Sequence, residues 1–129
     1  MRLFADEKIS NQQVNRSTRK NQPYMDFVYS FEKLDVWQEA HLLVKEIYRV
    51  TESFLNSEKY GLSNQIQRAA VSVVSNIAKG VSRFSLKEQL RFIEIAYGSL
   101  TEVYCQLMIA MDLNYINKEK LELLKNCYF

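Results

Sequence analysis

Few side chains in this sequence could carry chemistry, and their types limit it severely. His41 is the single histidine, so schemes that need a pair of imidazoles have no partner for it. A di-iron centre in a helical bundle needs Glu-x-x-His on each of two helices. The nearest match, Gln38-Glu39-Ala40-His41, has glutamine where a glutamate must stand and no second copy. A zinc-protease helix needs two histidines one turn apart. Gly61, Gly80 and Gly98 are the only glycines, too scattered for a loop that cradles phosphate. Cys105 with His41 would be the one nucleophile–base pair, but Cys105 falls between Tyr104 and Leu107 on an apolar stripe and reads as packing. Cys105 and Cys127, with no further Cys or His beside either, read as two buried, reduced thiols. The expectation is a protein without catalytic site, metal or cofactor.

Cations are the remaining candidates. Between residues 68 and 91 the charged residues are Arg68, Lys79, Arg83, Lys87, Glu88 and Arg91, five basic against one acidic. Arg83, Lys87 and Arg91 follow one another at four-residue steps around the start of the third helix, so the members inside that helix share a face. Phosphate neutralisation by such a stripe gives affinity without sequence preference and a steep salt dependence. A solvated helix face is the competing reading of the same five residues. Bulk charge does not help. Residues 27–129 carry 12 basic and 12 acidic side chains, and the net charge of +2 comes from residues 1–26.

The elements that must position these cations are helices. Three glycines and one proline in 129 residues are too few for the many turns of a β-sandwich or a doubly wound sheet. Residues 1–26 are polar and without helical period, and read as a disordered tail. Residues 27–129 read as one all-α domain, an antiparallel up-and-down four-helix bundle. The first helix should begin at Asp35, whose carboxylate caps the opening turn with Gln38 completing a capping box. Val36, Ala40, Leu43, Ile47 and Phe54 form its apolar stripe, widened by Trp37, Val44, Tyr48 and Leu55.

The second helix should run from about Leu62 to Ala78 and stop at Gly80 in a left-handed cap. Its uncharged run AAVSVVSNIA suggests burial on most sides, with Asn76 tied to a neighbour or to the following turn. The third begins at the capping box Ser85-Leu86-Lys87-Glu88. One stripe of Leu86, Leu90, Ile93, Tyr97, Leu100, Tyr104, Leu107 and Met111 runs along it. A second, Phe92, Ala96, Ser99 and Val103, lies beside the first. Tyr97 and Tyr104 are expected in the core, and Gly98 at a close helix contact. Asn117 should cap a short fourth helix carrying Leu121, Leu124 and Tyr128. Two stripes on one helix exceed what a lone small bundle can cover, which points to self-association. No apolar run approaches the ~18 residues of a bilayer span, and MRLFADEKIS lacks the core of a secretory signal. The expected location is the cytoplasm.

From Phe31 to Ile116 the sequence resembles the four helix bundle proteins also called 23S rRNA-intervening sequence proteins. The resemblance rests on Phe31-x-x-Leu34-x-Val36-Trp37-x-x-Ala40 and on Tyr60-Gly61-Leu62-x-x-Gln65-Ile66-x-Arg68-Ala69-Ala70-Val71-Ser72. It continues through Ser75-Asn76-Ile77-Ala78-x-Gly80, Arg83 and Ala96-x-Gly98-Ser99-Leu100-x-Glu102. It implies a four-helix protomer that assembles as a homopentamer, in a family encoded within insertions of bacterial large-subunit rRNA genes. A related branch is similar to the accessory variability determinant of diversity-generating retroelements, a basic pentamer that binds nucleic acid and partners a reverse transcriptase. The family block ends Asn-Ile-Ala-Glu-Gly, whereas this chain has Lys79 at the Glu position, which makes the local surface more basic. The combined expectation is a homo-oligomer that binds RNA or DNA through Arg68, Lys79, Arg83, Lys87 and Arg91. A scaffold that docks a nucleic-acid-processing protein is the alternative.

Overall fold

A computed structural model describes residues 29–129, and the polar segment expected to be disordered lies outside them. Four helices and no strands occupy the described residues: α1 (Asp35–Glu52), α2 (Leu62–Val81), α3 (Leu86–Asp112) and α4 (Lys118–Tyr128). α2 packs along α3 most extensively and against α1, and α4 touches both α1 and α3, while the two diagonal pairs do not approach closely. This is the adjacency of helices that follow one another around a bundle. No described helix is long and apolar enough to cross a membrane.

The core follows the apolar periodicity. Ala40, Leu43, Ile47 and Phe54 from α1 and its end meet Ile66, Ala69, Val73 and Ile77 from α2. Ala96, Leu100, Val103, Leu107, Leu121 and Leu124 complete it from α3 and α4. Tyr48 and Leu55, expected to widen the first stripe, are instead exposed.

Helix ends depart from expectation where backbone geometry was guessed from residue type. Leu34, not Asp35, is the N-cap of α1. Gln38 donates to the Glu32 carbonyl at 2.9 Å, while Glu32 accepts from the Tyr29 amide in the 3-10 turn Ser30–Lys33. Gly80 is not a left-handed cap. It lies inside α2, buried, and no glycine among the described residues has positive φ. Both side-chain caps are present: Ser85 Oγ accepts from the Glu88 amide at 3.2 Å, without the return bond from the Glu88 carboxylate that a capping box adds, and Asn117 Oδ1 accepts from the Lys120 amide at 2.8 Å. α3 ends in a Schellman motif, with the Tyr115 amide donating to the Ala110 carbonyl and the Asn114 amide to Met111. Asn114 supplies the left-handed residue at φ 61°.

Several interior assignments change. The second stripe of α3, with Leu100 and Leu107, forms its buried face. The first stripe is half covered. The far end of α4 meets α3 at Tyr104, whose ring lies 5.1 Å from that of Phe129. Nearer the start of α3, Leu86 is 68% exposed, Leu90 53% and Tyr97 46%, so Tyr97 is not a core residue. The physical reason is length: eleven residues of α4 cannot span the 27 of α3. Cys105 and Cys127 are free, as expected, but exposed rather than buried. A Cβ on Gly98 would meet nothing within 4 Å, so no close helix contact within the protomer explains it. In the uncharged run of α2 Val71 alone is exposed, and its other residues are buried or half-buried, as the lack of charge suggested. Asn76 is buried and donates to the Ser72 carbonyl (2.8 Å) and hydroxyl (3.0 Å) one turn earlier. That hydroxyl is 2.8 Å from Ser99 Oγ, which links the pair to α3.

At the opposite end of the bundle Glu58 ties two connections together. Its Oε2 accepts from the Leu62 amide at 3.0 Å and its Oε1 from the Tyr115 hydroxyl at 2.9 Å. The Leu62 amide first, then the Tyr115 hydroxyl, hold the carboxyl below its ordinary value near 4.5. The unfolded chain therefore takes up this proton more readily than the folded one. The stabilisation is whole above the ordinary value and is lost as pH falls through the lower folded one. Thermal melts between about pH 6 and pH 3 should show a smaller acid loss for Glu58→Gln than for the wild type. Identical acid profiles would remove this role.

Candidate nucleic-acid interface

The cations sit around the α2–α3 turn, and the sequence there leaves that turn little freedom. Ser82 Oγ donates to the Lys79 carbonyl at 2.7 Å, and the Arg83 amide to the Gly80 carbonyl at 3.1 Å. Gln89 Nε2 reaches back to the Arg83 carbonyl at 2.9 Å. Ser85 then caps α3. Gly80 is the residue that lets the helices meet here. A Cβ in its place would lie 3.2 Å from Phe92 Cβ and 3.3 Å from the Gln89 carbonyl oxygen, tighter than ordinary van der Waals contact.

All five expected binding residues are exposed. The ion pairs among the described residues, Glu46 with Arg49 and Glu46 with Lys120 at 3.5 Å, involve none of them. Four are gathered at one end of the bundle: Lys79 in the last turn of α2, Arg83 in the connection, and Lys87 and Arg91 in the first two turns of α3. Arg68 is not among them. It lies eleven residues before Lys79, roughly 16 Å back along α2, although three turns of helix return it to the same outward side.

Of the series Arg83, Lys87 and Arg91, the two members inside the helix share a face, as expected. Lys87 and Arg91 are one turn apart on α3, but Arg83 precedes the helix. Its guanidinium lies over the Phe92 ring, 4.7 Å from the centroid, a cation–π contact on the side of α3 that faces α2. Glu94, one turn beyond Arg91 and exposed, closes the positive stripe. The count of charges missed it because it fell just past the window.

The chain matches the model of one protein family, described as 23S rRNA-intervening sequence protein, over residues 32–128. It belongs to that family. The match takes in all four helices, and so the whole basic turn. No curated protein matches the chain.

Sequence reasoning overlooked two features of this end of the family fold. Phe84, beside Arg83 in the connection, is fully exposed; read as part of a loop, it had no periodicity to draw attention to it. Four rings also lie in file where α1 begins. Tyr29 and Phe31 lie 5.6 Å apart, Phe31 and Trp37 5.1 Å, and Trp37 and His41 5.0 Å. That contact accounts for His41 as an aromatic neighbour. No group of three or more His, Cys, Asp or Glu that could hold a metal occurs among the described residues. A depression of about 410 Å³ between α1 and α4 is lined by Glu46, Arg49, Tyr115 and Lys120. It offers charges that already pair with one another.

Proposed function

We propose that this protein is a non-enzymatic, self-assembling bundle that binds RNA through the cations of its α2–α3 turn. One observation carries the reading. Lys79, Arg83, Lys87 and Arg91 are exposed and free of carboxylate partners at one end of the protomer. A solvated helix face would be expected to carry mixed charge, and here Glu88 is the one acidic residue between Lys79 and Arg91. Arg68 extends the surface along α2 as a peripheral phosphate contact.

Assembly is the second half of the proposal, with a homopentamer as the form and the cytoplasm as the setting. Leu86 and Leu90 leave an apolar strip on α3 that α4 is too short to cover. Gly98 adds support. A mid-helix glycine costs roughly 1 kcal/mol against alanine, and here no neighbour inside the protomer requires it. A second copy approaching the adjoining face of α3, about a quarter turn round from Leu90, would. Copies arranged in a ring would repeat the cations and raise local positive potential.

A protein-docking scaffold is the second reading, favoured by the same exposed Leu86 and Leu90. Salt separates the two. Each phosphate contact made releases a counterion and should steepen the fall of RNA affinity with salt by about one unit in a double-logarithmic plot, so retention on immobilised RNA should collapse between low and moderate salt. Capture of a protein partner that persists through the same salt range, with no retention on RNA, would favour the scaffold.

A further inference from the structure

We infer that Phe84 is a stacking group for an unpaired nucleobase, so that the basic turn holds single-stranded nucleic acid more tightly than duplex. This rests on the RNA-binding reading above and deepens it. Connections between helices favour small and polar residues, yet this one places a fully exposed phenylalanine between Arg83 and Ser85. The ring has no ring partner and no cation over it among the described residues. Nor is it there for want of order in the backbone. The Arg83 amide and carbonyl are both hydrogen-bonded, and Ser85 caps α3 immediately after. Arg83 itself is engaged with Phe92, so the ring of Phe84 is left with both faces open on a fixed support.

The charges around it select the ligand. Lys79, Arg83 and Lys87 lie within five residues on either side, with Glu88 the one acidic residue in that span. The ligand must therefore be polyanionic and must offer a flat apolar face. A duplex meets the first demand but hides its base faces in the stack, presenting phosphates and groove edges. An unpaired strand meets both, and stacking of its bases on aromatic side chains is tolerant of sequence. Since Phe84 buries nothing in the protomer, its substitution leaves the fold in place.

The test uses the full chain with two probes, an oligouridylate strand and an RNA duplex of equal length. Phe84→Leu keeps an apolar side chain and removes the π-face. It should weaken strand binding about tenfold and leave duplex binding unchanged, whereas Lys87→Glu with Arg91→Glu should weaken both. Phe84→Trp should retain strand binding, and its emission should be quenched by the strand beyond any change seen for Trp37, the wild type's single tryptophan. Equal losses for strand and duplex, or no loss, would overturn the assignment. So would a Phe84→Leu protein of altered mass in solution, which would make the ring a subunit contact. Loss of binding to anionic lipid vesicles, with strand affinity intact, would place it in a membrane surface instead. A wild type that binds neither RNA would remove the parent reading, and this one with it.

Discussion

Exchanging Lys87 and Arg91 together for glutamate is expected to abolish retention on RNA at moderate salt while leaving the helical content unchanged. Both side chains are exposed and unpaired, so nothing in the core depends on them. Lys87 stands in the first turn of α3, where a carboxylate complements the helix dipole by about 0.3–1 kcal/mol. Against this, a glutamate at residue 91 meets Glu88 and Glu94 at three-residue spacing, about 0.2–0.5 kcal/mol of repulsion for each pair. These terms cancel to within their size, and the melting temperature should barely move. Binding should not be spared. Two phosphate contacts per protomer are lost, with a salt slope shallower by about two, and two repulsive charges replace them. If the double variant binds RNA as the wild type does, the basic turn is not the interface.

Gly80→Leu should be the most damaging single substitution at this end of the bundle. Helix propensity alone argues the other way, since leaving glycine at a helical position costs about 1 kcal/mol. The space decides it. A Cβ already lies 3.2 Å from Phe92 Cβ and 3.3 Å from the Gln89 carbonyl oxygen. Both belong to the body of α3, and a backbone carbonyl cannot swing aside as a side-chain end can. Three further carbons have nowhere to go unless α2 and α3 separate. Overpacking of this kind costs about 3 kcal/mol, and the net loss should appear as a melting temperature lower by roughly 10 °C. A variant as stable as the wild type in thermal or denaturant unfolding would show that the helices are not fixed by this contact.

Gly80 also shows what was legible in the sequence and what was not. Its place next to Ala78 and Lys79 at the end of a periodic run suggested a cap, because local pattern cannot distinguish a glycine that ends a helix from one that admits a neighbouring helix. The difference lies in Phe92 and Gln89, residues of another element. Periodicity was enough to place all four helices and most of the core, since Leu43, Ile66, Val73 and Leu100 recur at helical steps and are wholly buried. It failed along α3, where two apolar stripes compete. Which one faces inward depends on how far α4 reaches, and no spacing within α3 contains that. The cations were legible as a cluster because they are close in sequence. The seat of Arg83 over the Phe92 ring was not legible, because that contact joins the connection to the side of α3 facing α2 and no spacing contains it.

Phe84, Leu86 and Leu90 share the basic end with Lys79, Arg83, Lys87 and Arg91. Assembly and RNA binding are therefore linked claims, and one experiment reaches both. Light scattering on the purified chain of 15.2 kDa, alone and with added single-stranded RNA, should give a multiple of the protomer mass that rises on addition of RNA. A particle of one protomer mass, unchanged by RNA, would contradict the account.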